Sequence, residues 1–192
     1  MNILNTLNNL DHKYSIKIFK YNGGILINTL AYMSSIIFME ETCVFTLGLI
    51  YILFEKKLKI YTIFFSCFLT HIAITLIGKK VIGRTRPSDS IIDGANKTTF
   101  FRRKQGNCSL PSGDSQQAWN LFIFSWIYYP EFSFPLFLIA LFISFSRVYF
   151  GCHFISDIFA SIIFAFIFTP LLISFLSKMK ILDFLEDFSF LN

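Results

Sequence analysis

Long apolar runs broken by short polar clusters divide the chain into six stretches, roughly 23–39, 42–55, 60–78, 115–129, 132–150 and 154–177. A helix needs about 20 residues to cross the hydrocarbon core of a bilayer, so each stretch reads as a transmembrane helix. The second and fourth are short enough to require tilt or an imperfect match to the membrane. The opening segment, MNILNTLNNLDHKYSIKIFKY, follows another pattern: Ile3, Leu4, Leu7 and Leu10 recur at helical spacing with polar residues between them. That periodicity predicts an amphipathic helix lying in the membrane interface, and no basic start precedes an apolar run as in a cleaved signal. The tail after Lys178, MKILDFLEDFSFLN, is similar but more acidic. With no internal repeat and no low-complexity linker, the expectation is one domain over 1–192, made of an interfacial segment (1–22), a core (23–177) and a tail (178–192). The expected fold is an all-α polytopic membrane bundle with six transmembrane helices and an N-terminal interfacial helix.

Composition agrees with that pattern. Of 192 residues, 54% are hydrophobic, 26 are Phe and only 15% are charged, which is too apolar for an ordinary soluble domain. The expected setting is an integral multi-pass membrane protein, with endoplasmic reticulum and plasma membrane both compatible and no nucleic-acid partner. The net charge of +5 suits anionic headgroups. Basic residues do not orient the chain, because the two sides of a six-span arrangement come out nearly equal. Eight lie on the side of the termini, and nine on the side of the loops near Glu40, at 79–114 and at 151–153. A face that keeps nine cations, Arg147 among them, is expected to use some of them.

Three short segments on that second side carry candidate chemistry. In GKKVIGRTRPSDS, Lys79 and Arg86 are seven apart, which puts them on one face of a helix, and Pro87 disfavours helix at Arg86 and predicts its end there. Two such cations also suit simple anchoring at headgroups. In NCSLPSGDSQQAW, Ser112 and Gly113 precede the fourth helix, whose first N–H groups have no partner within the helix and carry the positive end of its dipole. Such an end binds anions, and Gly113 lets the backbone come close, although Pro-Ser-Gly is also a common turn. In SRVYFGCHFISDI, His153 and Asp157 are four apart, so the carboxylate can orient the imidazole and leave its other nitrogen as a nucleophile or base. Arg147 adds a planar fork suited to phosphate oxygens. A membrane-edge His–Asp hydrogen bond is the plainer account of the same pair.

Taken together, Lys79, Arg86-Pro87, Pro111-Ser112-Gly113, Ser146-Arg147, His153 and Asp157 closely resemble, in order and spacing, the type 2 phosphatidic acid phosphatase family, which is related to the vanadium haloperoxidases. The resemblance covers roughly residues 25–175. It implies a phosphatase needing no metal or other cofactor, with its site at one membrane face and a phosphorylated lipid as substrate. By the same resemblance Lys79, Arg86, Ser112, Gly113 and Arg147 bind the phosphate. His153 attacks phosphorus to form a phosphohistidine, and Asp157 orients it. The soluble haloperoxidase branch does not suit so apolar a chain.

Asp114 departs from the family pattern, which has a His there to protonate the leaving oxygen. A carboxylate among cations is expected to be ionised at neutral pH in the empty site, and a bound phosphate dianion pushes it toward accepting a proton. An alcohol leaving from a monophosphate needs that acid badly, whereas a phosphate leaving from a lipid diphosphate is a weaker base and needs it less. Asp114 is thus expected to bias the enzyme toward diphosphates such as polyprenyl diphosphates, or toward acidic pH. The alternative is an inactive relative that binds phosphorylated lipids or partner proteins through the intact cation cradle. His71 lies about 12 Å deeper than Lys79 along a helix and reads as a core residue bonded to a neighbouring helix. His12, Glu40, Glu41 and the loop cations Arg102, Arg103 and Lys104 read as interfacial or solvated. Cys43, Cys108 and Cys152 share the active side and Cys67 lies in a span, which leaves any disulfide pairing open.

Overall fold

The computed structural model describes residues 3–37, 58–87 and 108–179, and six α-helices account for most of them. They are α1 (Ile3–Lys20), α2 (Gly24–Ile37), α3 (Leu58–Ile82), α4 (Gly113–Tyr128), α5 (Ser133–Tyr149) and α6 (Ile155–Leu176), with a 3-10 turn (Pro130–Phe132) between α4 and α5. Five of the six expected spans coincide with α2 to α6. The second, 42–55, lies outside the described residues, as do Glu40, Glu41, Cys43, the 102–104 cations and the acidic tail. Among the described residues, three helical stretches are long and apolar enough to cross a membrane: Lys59–Ile82, Pro130–Tyr149 and Ile155–Leu176. Cys67, Cys108 and Cys152 form no disulfide among the described residues.

α4 is the axis of the bundle, packed by α3, α5 and α6, and its sequence explains why it is the least apolar of the four. Apolar side chains on α4 fill two clusters. Trp119, Phe122 and Ile123 pack with Ala140 and Ile143 of α5 and Ala165 of α6, while Phe124 packs with Phe64 and Phe68 of α3 and Ile173 of α6. Between them runs a buried polar ladder. Thr75 Oγ1 donates to Gln116 Oε1 (2.8 Å), and Gln116 Nε2 donates to His71 Nδ1 (2.7 Å). His71 Nε2 then meets Thr169 Oγ1 (2.8 Å), whose hydroxyl donates to Asn120 Oδ1 (2.9 Å). Gln117 closes the series by donating to the Phe68 carbonyl (2.9 Å). With Nδ1 accepting and the Thr169 hydroxyl already donating elsewhere, His71 is held as the Nε2–H tautomer. Buried amides and hydroxyls at this depth are tolerated because each finds a partner on another helix.

One boundary differs from expectation. α3 ends at Ile82 and not at Arg86, because Gly83 takes a left-handed conformation (φ 62°) and its N–H closes on the Lys79 carbonyl (3.1 Å). Lys79 is half-buried in the last turn of α3, while Arg86 lies four residues beyond the helix, so seven-residue helical spacing does not set their relation. The chain from Gly83 instead pairs briefly with the segment before α4. Ser109 N–H donates to the Arg84 carbonyl (2.7 Å), and Ser109 Oγ donates to the Thr85 carbonyl (3.2 Å). α3 and α5 end, and α4 and α6 begin, at one end of the bundle, where the candidate residues collect.

The N-terminal helix also packs differently from a helix that merely floats on a surface. Leu7, Leu10 and Tyr14 are exposed, as an apolar outer face requires, but Asp11, Ser15 and Phe19 face inward at helical spacing and contact the start of α6 and the turn before it.

Candidate active site

Gly151 initiates the turn that delivers the candidate nucleophile. Its φ of 66° is one that side-chain-bearing residues rarely adopt, and a Cβ there would meet the Phe19 ring at 2.7 Å. The turn folds back on the end of α5, where the Arg147 carbonyl accepts from Cys152 N–H (3.0 Å) and His153 N–H (3.3 Å). The backbones of Arg147 and His153 are therefore tied through one carbonyl, and both side chains are almost fully buried.

The two ring nitrogens of His153 face opposite partners. Nε2 lies 3.3 Å from Arg86 Nη1, a group that only donates, so Nε2 carries the lone pair and Nδ1 the proton. Nδ1 is directed at Asp157 Oδ2 but stands 3.6 Å away, too far for a hydrogen bond, and among the described residues it has no bonded partner. Arg86 is fixed by the Cys152 carbonyl, which accepts from Nη1 at 2.7 Å. Burial pushes the imidazole below its ordinary range. Asp157 and Asp114 oppose that effect, and Arg86 adds to it.

Ser112 is the N-cap of α4, yet its side chain makes no capping bond. Its Oγ is fully buried and without a partner among the described residues, an arrangement that costs free energy unless a ligand completes it. Its backbone is held from α6: Ser112 N–H donates to Ser161 Oγ (2.8 Å), which donates to the Asp157 carbonyl (2.8 Å). The head of α4 is thus set against the same turn of α6 that carries Asp157. Asp114 accepts from Arg147 Nη1 (2.9 Å), and Ser146 Oγ lies 3.2–3.3 Å from the guanidinium's other nitrogens.

Arg86, His153 and Asp157 are brought into one cluster, joined by Ser112 through Ser161 and by Arg147 through its carbonyl. Asp114 is tied to this cluster through Arg147, from whose Nη1 it accepts. Sequence reasoning missed Arg84, which donates to Asp157 Oδ1 (2.7 Å) from Nη1, and missed Ser161. Arg84 stood in view two residues before Arg86, but only the early end of α3 turns it toward α6. His71 belongs to the polar ladder, and the His12 ring packs on Phe154 with centroids 4.5 Å apart.

The sequence pattern of the PAP2 superfamily matches residues 60–180. Among solved structures, the chain is similar in fold to the transmembrane PAP2 type phosphatidylglycerolphosphate phosphatase of Bacillus subtilis, with a TM-score of 0.72 and 19% identity, covering 91% of this chain and 88% of that one. It is also similar to LpxE of Aquifex aeolicus, with a TM-score of 0.70 and 18% identity, covering 84% of this chain and 93% of the other. No curated protein matches the chain.

Proposed function

From the premise that this chain belongs to the PAP2 superfamily, we propose that it is an integral membrane lipid phosphatase, working on a lipid phosphate or diphosphate monoester through a phosphohistidine and without a metal. The observation that carries this reading is the imidazole of His153, with its lone-pair nitrogen toward Arg86 and its N–H toward Asp157, together with a buried serine hydroxyl at the head of α4 that has no partner among the described residues. The reading includes six spans, with α1 lying in the interface on its Leu7, Leu10 and Tyr14 face.

In this mechanism Arg86, Arg147, Lys79, Ser112 and the Gly113 backbone hold the phosphate oxygens, since phosphoryl transfer needs mainly positioning and charge stabilisation. His153 Nε2 gives its lone pair to phosphorus as the P–O bond to the leaving group breaks. The imidazole becomes positive, and the Nδ1–H closes on Asp157. Water then attacks phosphorus, the N–P pair returns to Nε2, and phosphate departs carrying both of the water's protons. The proton for the leaving oxygen comes from the substrate's own phosphate by way of Asp114, which in the resting site only accepts from Arg147, so a diphosphate, whose leaving phosphate is a weak base, is the better substrate. A binding-only relative has no use for an oriented nucleophile, and Asp157 together with the tautomer of His153 supports the enzyme.

The test is phosphate release by the detergent-purified protein, without added metal, from lipid mono- and diphosphates of matched chain. Release is expected from the diphosphate, and no release from either lipid at acid or neutral pH by folded protein turns the reading to lipid binding. The pH profile follows from the buried imidazole. Below its folded pKa the nitrogen is protonated and cannot attack, and burial lowers that pKa. The acid limb of kcat/KM is therefore expected below the ordinary histidine value of about 6.5, and a limb above it contradicts a desolvated neutral nucleophile.

A further inference from the structure

α6 begins with a defect that the N-terminal helix repairs. Its N-cap is Phe154, whose side chain has no oxygen to accept from the first-turn N–H groups. Two of those groups are satisfied from more than a hundred residues away in sequence. Ile155 N–H donates to Ser15 Oγ (2.9 Å) and Ser156 N–H to Asp11 Oδ1 (3.0 Å), both acceptors lying on α1.

Asp11 does more than cap. Its Oδ2 accepts from Arg84 Nη2 (2.7 Å) and from the Ser156 hydroxyl (2.5 Å). The other fork of the same guanidinium, Nη1, donates to Asp157 Oδ1 (2.7 Å) and to Ser156 Oγ (2.6 Å), and its carbon lies 4.0 Å over the Phe154 ring. Asp157 is thereby held at both oxygens. Oδ1 is taken by Arg84, and Oδ2 accepts from Phe154 N–H (2.9 Å) and is the atom that His153 Nδ1 faces. A carboxylate held at Oδ1 by one guanidinium nitrogen and at Oδ2 by a backbone N–H is restrained from rotating, so the position of Oδ2 relative to the imidazole is set by where Arg84 sits. Arg84 in turn bridges two carboxylates from opposite ends of the chain.

We propose that Asp11 is a positioning residue for the reaction: through Arg84 it fixes Asp157, and so the orientation of His153, making α1 part of the catalytic apparatus. Without the Asp11 charge, Arg84 has Asp157 as its remaining carboxylate among the described contacts, and its fork is free to turn toward Oδ2 and compete with the imidazole N–H. Neither residue is among those proposed to hold the phosphate, so substrate binding is unaffected while attack is slowed. This inference rests on the reading of His153 as the nucleophile.

The experiment is steady-state phosphate release from a lipid diphosphate by the full chain in detergent micelles. Asp11→Asn is expected to lower kcat about tenfold with KM unchanged, and Asp11→Glu to recover most of the loss. The double variant Asp11→Asn/Arg84→Gln is expected to be no slower than Arg84→Gln alone, because Asp11 acts through Arg84. Lys13→Gln, on the exposed side of the same helix, leaves the rate unchanged. A kcat for Asp11→Asn equal to that of the wild type, losses that multiply in the double variant, or a rise in KM matching the fall in kcat each overturn the proposal. If Asp11→Asn does not fold, Arg84→Lys, which keeps the charge and removes the fork, serves instead: a lowered kcat at constant KM supports the proposal, and an unchanged kcat overturns it. Wild-type release that His153→Gln leaves intact defeats the phosphatase reading, whereas His153-dependent release indifferent to Asp11 defeats only this inference.

Discussion

Replacing His153 with glutamine is expected to lower phosphate release roughly a thousandfold or more while the lipid still binds. Glutamine keeps a buried polar side chain of similar reach but has no lone-pair nitrogen able to form a bond to phosphorus. The groups proposed to hold the phosphate, Arg86, Arg147 and Ser112, remain in place, so the loss belongs to kcat. The wild type is expected to trap labelled phosphate from substrate as an acid-labile, base-stable phosphoenzyme, and the variant to trap none. Release at the wild-type rate would defeat the phosphatase reading, because among the described residues no other histidine can take the place of the nucleophile. His71 has both ring nitrogens committed to Gln116 and Thr169, and His12 packs its ring on Phe154.

Asp114→His is expected to act in the opposite sense, raising turnover of a lipid monophosphate roughly a hundredfold while changing diphosphate turnover little. In the resting site the Asp114 carboxylate is an acceptor for Arg147, a cation proposed to hold the phosphate, so it is bonded as an acceptor and not placed as a donor. An imidazole supplies a proton at neutral pH, which an alkoxide leaving group requires and a leaving phosphate largely does not. The substitution also removes the carboxylate that accepts from Arg147. Comparing kcat/KM for monophosphate and diphosphate in the wild type, Asp114→His and Asp114→Asn separates these effects. A monophosphate rate that does not rise in Asp114→His overturns the view that the missing acid limits the enzyme. A diphosphate rate that collapses in Asp114→Asn would show instead that the carboxylate moves protons in both reactions.

The sequence made the helices and the cluster legible for different reasons. Apolar run length located α3, α5 and α6 to within a few residues, because a lipid-facing helix writes its burial into composition alone. His153 and Asp157 were legible because their four-residue spacing and their orientation depend on a single turn. The end of α3 was not: Pro87 drew attention to Arg86, whereas Gly83 ends the helix by a backbone conformation for which an isolated glycine gives no unique signal. The inward face of α1 was hidden for another reason. Its leucines announced a surface helix, but the value of Asp11 and Ser15 depends on a phenylalanine standing where a capping residue is usual at the start of α6. No local window contains both facts.

The polar ladder between α3, α4 and α6 has a direction. From the Thr75 hydroxyl through Gln116, His71 and Thr169 to Asn120, every step hands a hydrogen the same way. Reversing one member strands two donors face to face on one side and two acceptors on the other. Single replacements such as Thr169→Val therefore orphan His71 and Asn120 together, and a tolerated change has to replace neighbours at once. The interior of this bundle is a one-way sentence that can be rewritten by the phrase but not by the word.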